Sequence, residues 1–166
     1  MDRRRPYGRV PDEAAQVTTL AIDPGLAGGL AWAVDGVVFQ PIPMPESEKH
    51  IVSVLRDLRP DLAAIEDIPW MVKQRVNPAS LSKLHRNCGV LHGCLRALDV
   101  PICPVAPQVW QARLGVTEGV KKYSLRKRRL CDEAKRRYPD LKVTLDTADA
   151  LLILDWALQE TKLHEH

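Results

Sequence analysis

The sequence predicts an α/β chain: a mixed five-stranded sheet, made of a three-strand antiparallel meander plus parallel strands, with helices on both faces. Three observations carry this expectation. Short β-rich runs at residues 17–23, 30–34 and 37–42 are separated by turn signatures, Asp23-Pro24-Gly25 and the hairpin dipeptide Asp35-Gly36. Strand-like and helix-like segments then alternate, as they do where helices cover a sheet. Leu81, Leu84, Cys88, Leu91, Leu95 and Leu98 recur three and four apart, one stripe of a long helix.

The elements follow in order. Residues 1–16 are polar and aperiodic and read as a flexible arm, leaving 17–166 as a single domain. After the meander, Ile51, Leu55 and Leu58 mark an amphipathic helix over 46–59, stopped by Pro60. Residues 61–67 (DLAAIED) form a buried strand, and 69–79 a loop holding Trp70, Lys73 and Arg75. The striped helix spans 80–98, facing either the core or a dimer partner. A proline-punctuated strand at 100–107 precedes helices at 107–114, 124–137 and 146–162.

Composition narrows the function. The chain is 45% hydrophobic and 27% charged, an ordinary globular balance, and no stretch approaches a membrane span. The basic N-terminus has no apolar segment behind it, so no signal peptide is read, and a cytoplasmic location is expected, in a bacterial or phage-infected host cell. Four cysteines without CxxC spacing read as reduced thiols. His85, Cys88 and His92 could share a helix face and bind zinc, although structural zinc sites usually draw ligand pairs from separate elements. The net charge of +3 conceals an asymmetry: residues 121–137 hold nine Lys or Arg against two acids, a local +7 on a body summing to −4. Such a stretch fits a polyanion partner or a solvated helix face.

Four carboxylates stand where a metal site would want them. Asp23 ends the first strand, Glu66 ends the otherwise apolar run LAAIE, and Asp146 and Asp149, three apart, open the last helix on one face. Each also has an ordinary explanation, as turn or helix cap. Together they form the oxygen-rich set that Mg²⁺ prefers, and clustered carboxylates without a cation would repel one another. Two ions at such a site can activate water on one side of a phosphodiester and stabilise the leaving oxygen on the other.

These motifs resemble those of the RuvC-like Holliday-junction resolvases of the RNase H-like superfamily. AIDPGLAGGLAW resembles their first-strand motif, LAAIED their fourth-strand motif with its Glu, and TADALLILDWA their C-terminal motif. PQVWQARLGV followed by KKYSLRKRRLCDEAKRRYP is similar to a segment of phage-type and chloroplast-type relatives. The resemblance covers residues 18–160 and implies an RNase H-like fold, with Asp23, Glu66, Asp146 and Asp149 as ligands of two Mg²⁺ ions for which Mn²⁺ can substitute. It places Lys122 beside the scissile phosphate. It implies a homodimer, without nucleotide cofactor or membrane partner, that nicks a four-way DNA junction symmetrically to leave 5′-phosphate and 3′-hydroxyl ends. DNA contacts are expected from Trp70, Lys73, Arg75, Arg113, Lys121, Lys122, Arg126 and Lys127. Gln111 stands where relatives often carry Lys, which leaves Arg113 to supply that charge.

Two alternatives compete. A non-catalytic branched-DNA binding protein could keep the fold, although all four carboxylates are present. An actin/hexokinase-type phosphotransferase shares the core and an Asp-x-Gly turn, but needs two domains around its nucleotide, and 166 residues hold one.

Overall fold

The computed structural model describes residues 16–68 and 77–164. All but the last residue of the arm expected at 1–16, and Trp70, Lys73 and Arg75, lie outside them. Strand β1 (Thr18–Asp23) is buried along its whole length because it is central. It pairs antiparallel with β2 (Gly29–Val34) and parallel with β5 (Leu62–Glu66), which in turn pairs parallel with β6 (Ile102–Val105).

The third meander strand is not continuous. It divides into β3 (Val37–Val38) and β4 (Ile42–Pro43), both paired with β2, so the mixed sheet has six strands in five positions. Pro41 lies in the break and has no N–H to give a ladder, which stops a single strand from running through. The Asp35-Gly36 turn closes the hairpin with positive φ at both residues, 49° and 79°, as the dipeptide predicts.

Helices α1 (Glu48–Leu58) and α2 (Pro78–Ala97) cover one face, and α3 (Pro107–Leu114), α4 (Tyr123–Arg137) and α5 (Ala148–His164) the other. Residue size separates the faces. Toward α1 and α2 the strands present Leu20, Ile22, Leu30 and Ile65; toward α5 they present Ala21, Ala31, Ala33 and Ala64. Small side chains let α5 settle close to the sheet, and residues 150–154 of that helix are buried in consequence. The stripe on α2 is buried at Leu91 and Leu95 and only half-buried at Leu81, Leu84 and Cys88. Among the described residues no helix is long and apolar enough to cross a membrane.

The turn that leads into α5 packs tightly on the sheet at Gly29. A Cβ there would lie 2.7 Å from the carbonyl oxygen of Ile42 and 2.9 Å from that of Asp146, both backbone atoms that cannot swing away. Gly29→Ala is therefore expected to destabilise the fold by about 1–3 kcal/mol. Gly93→Ala, on an exposed turn of α2 with nothing within 4 Å of the new methyl, is expected to stabilise it by about 0.5–1 kcal/mol. Urea unfolding measures both; equal stability of the two variants would refute the close approach at Gly29.

Candidate functional site

The site begins with strand register. Ile22 lies opposite Ile65 in the parallel β1–β5 pair, so the next residues, Asp23 and Glu66, leave the sheet side by side at the same end. Side chains alternate along a strand, and Asp23 and Glu66 share parity with Ala21 and Ala64, so both point toward α4 and α5. Asp149, in the first turn of α5, comes to meet them and is 5% exposed. The three acids line one cleft of about 570 Å³, together with Tyr123, Arg126 and Lys127 of α4.

The turn after β1 is wrapped around Asp23. Gly25 donates its N–H to Asp23 Oδ1 at 3.1 Å, and a Cβ on Gly28 would sit 2.8 Å from Asp23 Cγ, so only glycine lets the loop close over this carboxylate. Asn87 of α2 ties the loop down by donating to the Pro24 carbonyl at 2.8 Å. The Trp110 indole N–H of α3 donates to Glu66 Oε1 at 3.0 Å and fixes that side chain.

Lys127 supplies the counter-charge. Its Nζ is 2.6 Å from Asp149 Oδ2 and 3.4 Å from Asp23 Oδ2. Burial disfavours the ammonium, but Asp149 and then Asp23 outweigh it and hold its pKa above the ordinary lysine value. One cation does not neutralise three acids. Burial first, then the charges of Asp23 and Asp149, push Glu66 up to about 7, against the opposing pull of Trp110 and Lys127. Burial also raises Asp149, opposed chiefly by Lys127, and its Oδ1 is buried with no hydrogen-bond partner.

The expected site residues separate in the structure. Asp23, Glu66 and Asp149 come together. Asp146 does not join them: α5 starts at Ala148, so Asp146 sits in the preceding turn, half-exposed and off the cleft, with its carbonyl against Gly29. Lys122 is the exposed N-cap of α4, and the lysine against the carboxylates is Lys127, which the sequence marks only as a DNA contact. Lys121 is exposed, and Arg126 lines the cleft. Arg113 pairs instead with Glu160 of α5. Part of the basic stretch is likewise structural: Arg136 and Arg137 donate to Glu133, and Arg137 also to Asp155. Tyr123 and Trp110 were not foreseen as parts of the site. The signal for Tyr123 was present, since Tyr123, Arg126, Lys127 and Leu130 fall on one helical face.

Asp23, Glu66 and Asp149 line one cleft without closing into a ready-made cage, and among the described residues no other three His, Cys, Asp or Glu side chains form one. His85 is exposed and Cys88 half-buried, and burial, then Asp23, Asp67 and Glu66, raise the Cys88 thiol to about 11; these residues form no metal-holding group among the described residues. A second groove of about 580 Å³, between α1 and α2, is lined by Val52, Val90 and Cys94 among others and holds no comparable set of acids.

No protein-family model matches the sequence, and no curated protein matches it. Solved structures do. The fold is similar to that of solved RuvC structures. The Thermus thermophilus RuvC structure superposes with a TM-score of 0.56 at 20% identity, over 83% of this chain and 91% of that one. T. thermophilus RuvC in complex with Holliday junction substrate gives 0.56 at 17% identity, over 83% and 90%.

Glu66 makes the metal-free protein sensitive to pH. Because its folded pKa is raised, the ionised form is disfavoured in the fold; its contribution is most favourable below about 4.5 and is lost as pH rises through about 7. With a chelator present, Glu66→Gln, which can still accept from Trp110, is expected to match the parent protein at pH 4.5. At pH 8 it should be more stable by about 1–3 kcal/mol, after allowance for partial solvent screening. Thermal melts at the two pH values measure this; a variant less stable at pH 8 would refute the charge crowding.

Proposed function

We propose that this chain is a divalent-metal-dependent endonuclease that resolves Holliday junctions or related branched DNA. The observation that carries this reading is the meeting of Asp23, Glu66 and Asp149, from three separate elements, in a cleft walled by the basic helix α4. The likeness to a RuvC solved with Holliday junction substrate supports the choice of branched DNA.

The donor set fits a hard cation. It offers carboxylate oxygens only, one of them buried and unpartnered, and one acid whose pKa is pushed up to about 7 by burial and then by its two acidic neighbours. Asp23, Glu66 and Asp149 would hold Mg²⁺, with Mn²⁺ as substitute and Asp146 reaching in from the adjoining turn. The bound metal supplies Lewis-acid polarisation of the phosphodiester. Trp110 and the Gly25 N–H keep two of the carboxylates aimed. Lys127 moves from its carboxylates toward the phosphate, and Lys121, Lys122 and Arg126 neutralise neighbouring phosphates. Such contacts fix position rather than sequence and weaken steeply with salt. Paired nicks leaving 5′-phosphate and 3′-hydroxyl ends require two such sites, hence a homodimer.

One observation favours a second reading, a branched-DNA binding protein without catalysis: Lys127 already satisfies one oxygen each of Asp23 and Asp149. A four-way junction labelled on each strand in turn separates the two. With Mg²⁺ or Mn²⁺ the proposal expects symmetric nicks, and Asp149→Asn should keep binding while losing at least about 100-fold in cutting rate. Unchanged cutting by that variant would remove Asp149 from the site. Tight binding with no nicks by the parent protein would leave the second reading.

A further inference from the structure

The rim of the acidic cleft is apolar at two exposed points. Eight large hydrophobic side chains are exposed among the described residues, and two of them, Leu26 at 59% and Tyr123 at 61%, border the cleft that holds Asp23, Glu66 and Asp149. They come from different elements, the turn after β1 and the first residue of α4. Of the eight, Phe39 and Tyr123 are the aromatics. Phe39 is already stacked on Trp32, with centroids 6.5 Å apart. Tyr123 instead carries the guanidinium of Arg126 at 5.4 Å from its ring centroid, which steadies the ring beside a positive charge. Tyr123 and Lys127 are four residues apart on α4, so the ring stands one helical turn from the ammonium that touches Asp23 and Asp149.

An exposed ring, a cation fixed to it and a second cation one turn deeper match one kind of occupant. A nucleotide has a flat base for the ring and a phosphate for the cations, and base–aromatic stacking is worth about 1–3 kcal/mol. An apolar peptide would leave Lys121, Lys122 and Arg126 without partners, and an acidic one would bring no flat face. Resting on the nuclease reading above, we infer that Tyr123, steadied by Arg126 and with Leu26 on the same rim, is the platform that takes an unstacked base next to the phosphate held in the cleft. Tyr123 is then a positioning residue, which selects distorted or unpaired DNA because a base inside a regular duplex cannot leave its stack cheaply.

The test uses the full chain and junctions carrying 5-iododeoxyuridine at successive positions, irradiated with the metal chelated. The expected result is a crosslink to Tyr123 from one or two adjacent positions, mapping beside the nick formed when Mg²⁺ is restored. Tyr123→Ala should weaken junction binding about 5- to 150-fold. Tyr123→Phe should bind within about twofold of the parent. Because the ring is exposed, thermal melts of both variants should match the parent, which excludes a folding defect. A parent protein that cuts junctions while its crosslinks fall elsewhere, with Tyr123→Ala binding normally, would overturn the platform and leave the nuclease intact. A Tyr123 crosslink without cutting would support the platform and overturn the nuclease. No binding to any DNA would overturn both.

Discussion

The parallel pairing of β1 with β5 is the constraint on which the rest of the site depends. With Ile22 opposite Ile65, two acids are carried out of the sheet at the same level and on the same face. A shift of one residue in either strand would turn its acid to the opposite face, since side-chain direction alternates along a strand. The hydrophobic pattern guards against that slip. Leu20, Ile22 and Ile65 belong under α1 and α2, whereas Ala21 and Ala64 are the residues small enough to lie under α5. The packing that stabilises the fold thus also aims the carboxylates.

Helix α5 completes the arrangement because it is pressed against that alanine face. Gly29 allows the turn at Asp146 to touch the sheet at the start of β2, and one turn later Asp149 is delivered into the cleft nearly fully buried. A buried carboxylate needs partners, and one of its oxygens finds Lys127 while the other finds none. The site thus keeps a buried carboxylate oxygen without a partner inside a well-packed interior, an arrangement that costs local stability.

Much of this was legible in the sequence, for physical reasons that differ by element. Strand ends and their acids were readable because apolar runs bounded by Pro and Gly leave little freedom: LAAIE stops at Glu66, and AID stops at Asp23. The run at 37–42 is β-rich enough to suggest one strand, and the break at Pro41 follows from its missing N–H. The role of Lys127 was not legible. Nine cations in residues 121–137 look alike in one dimension, and only the seating of α4 on α5 decides which one meets the acids and which, like Arg137, is spent on Glu133 and Asp155. Asp146 and Asp149 looked like one helical face, but the helix starts between them, at Ala148, a boundary set by the Thr144–Thr147 turn and its hydrogen bonds.

Electrostatics finally bears on what such a cleft is for. A surface that only bound DNA would gain from α4 and lose from every acid beside it, since carboxylates repel phosphates and burying them costs stability. Here three acids stand at the foot of the most basic helix, and a single lysine leaves them with a net charge of −2 when all are ionised. Burial first, and then this uncompensated charge, push Glu66 up to about 7, a penalty that falls on the fold whether or not DNA is present. Their position at the core of the cleft is costly for a passive binding site and suits one that must gather positive charge around a phosphate. Lysine suits the role of provisional partner: its ammonium is a compact point charge on a flexible stem, able to leave the carboxylates without dismantling a fixed bidentate pair as an arginine would.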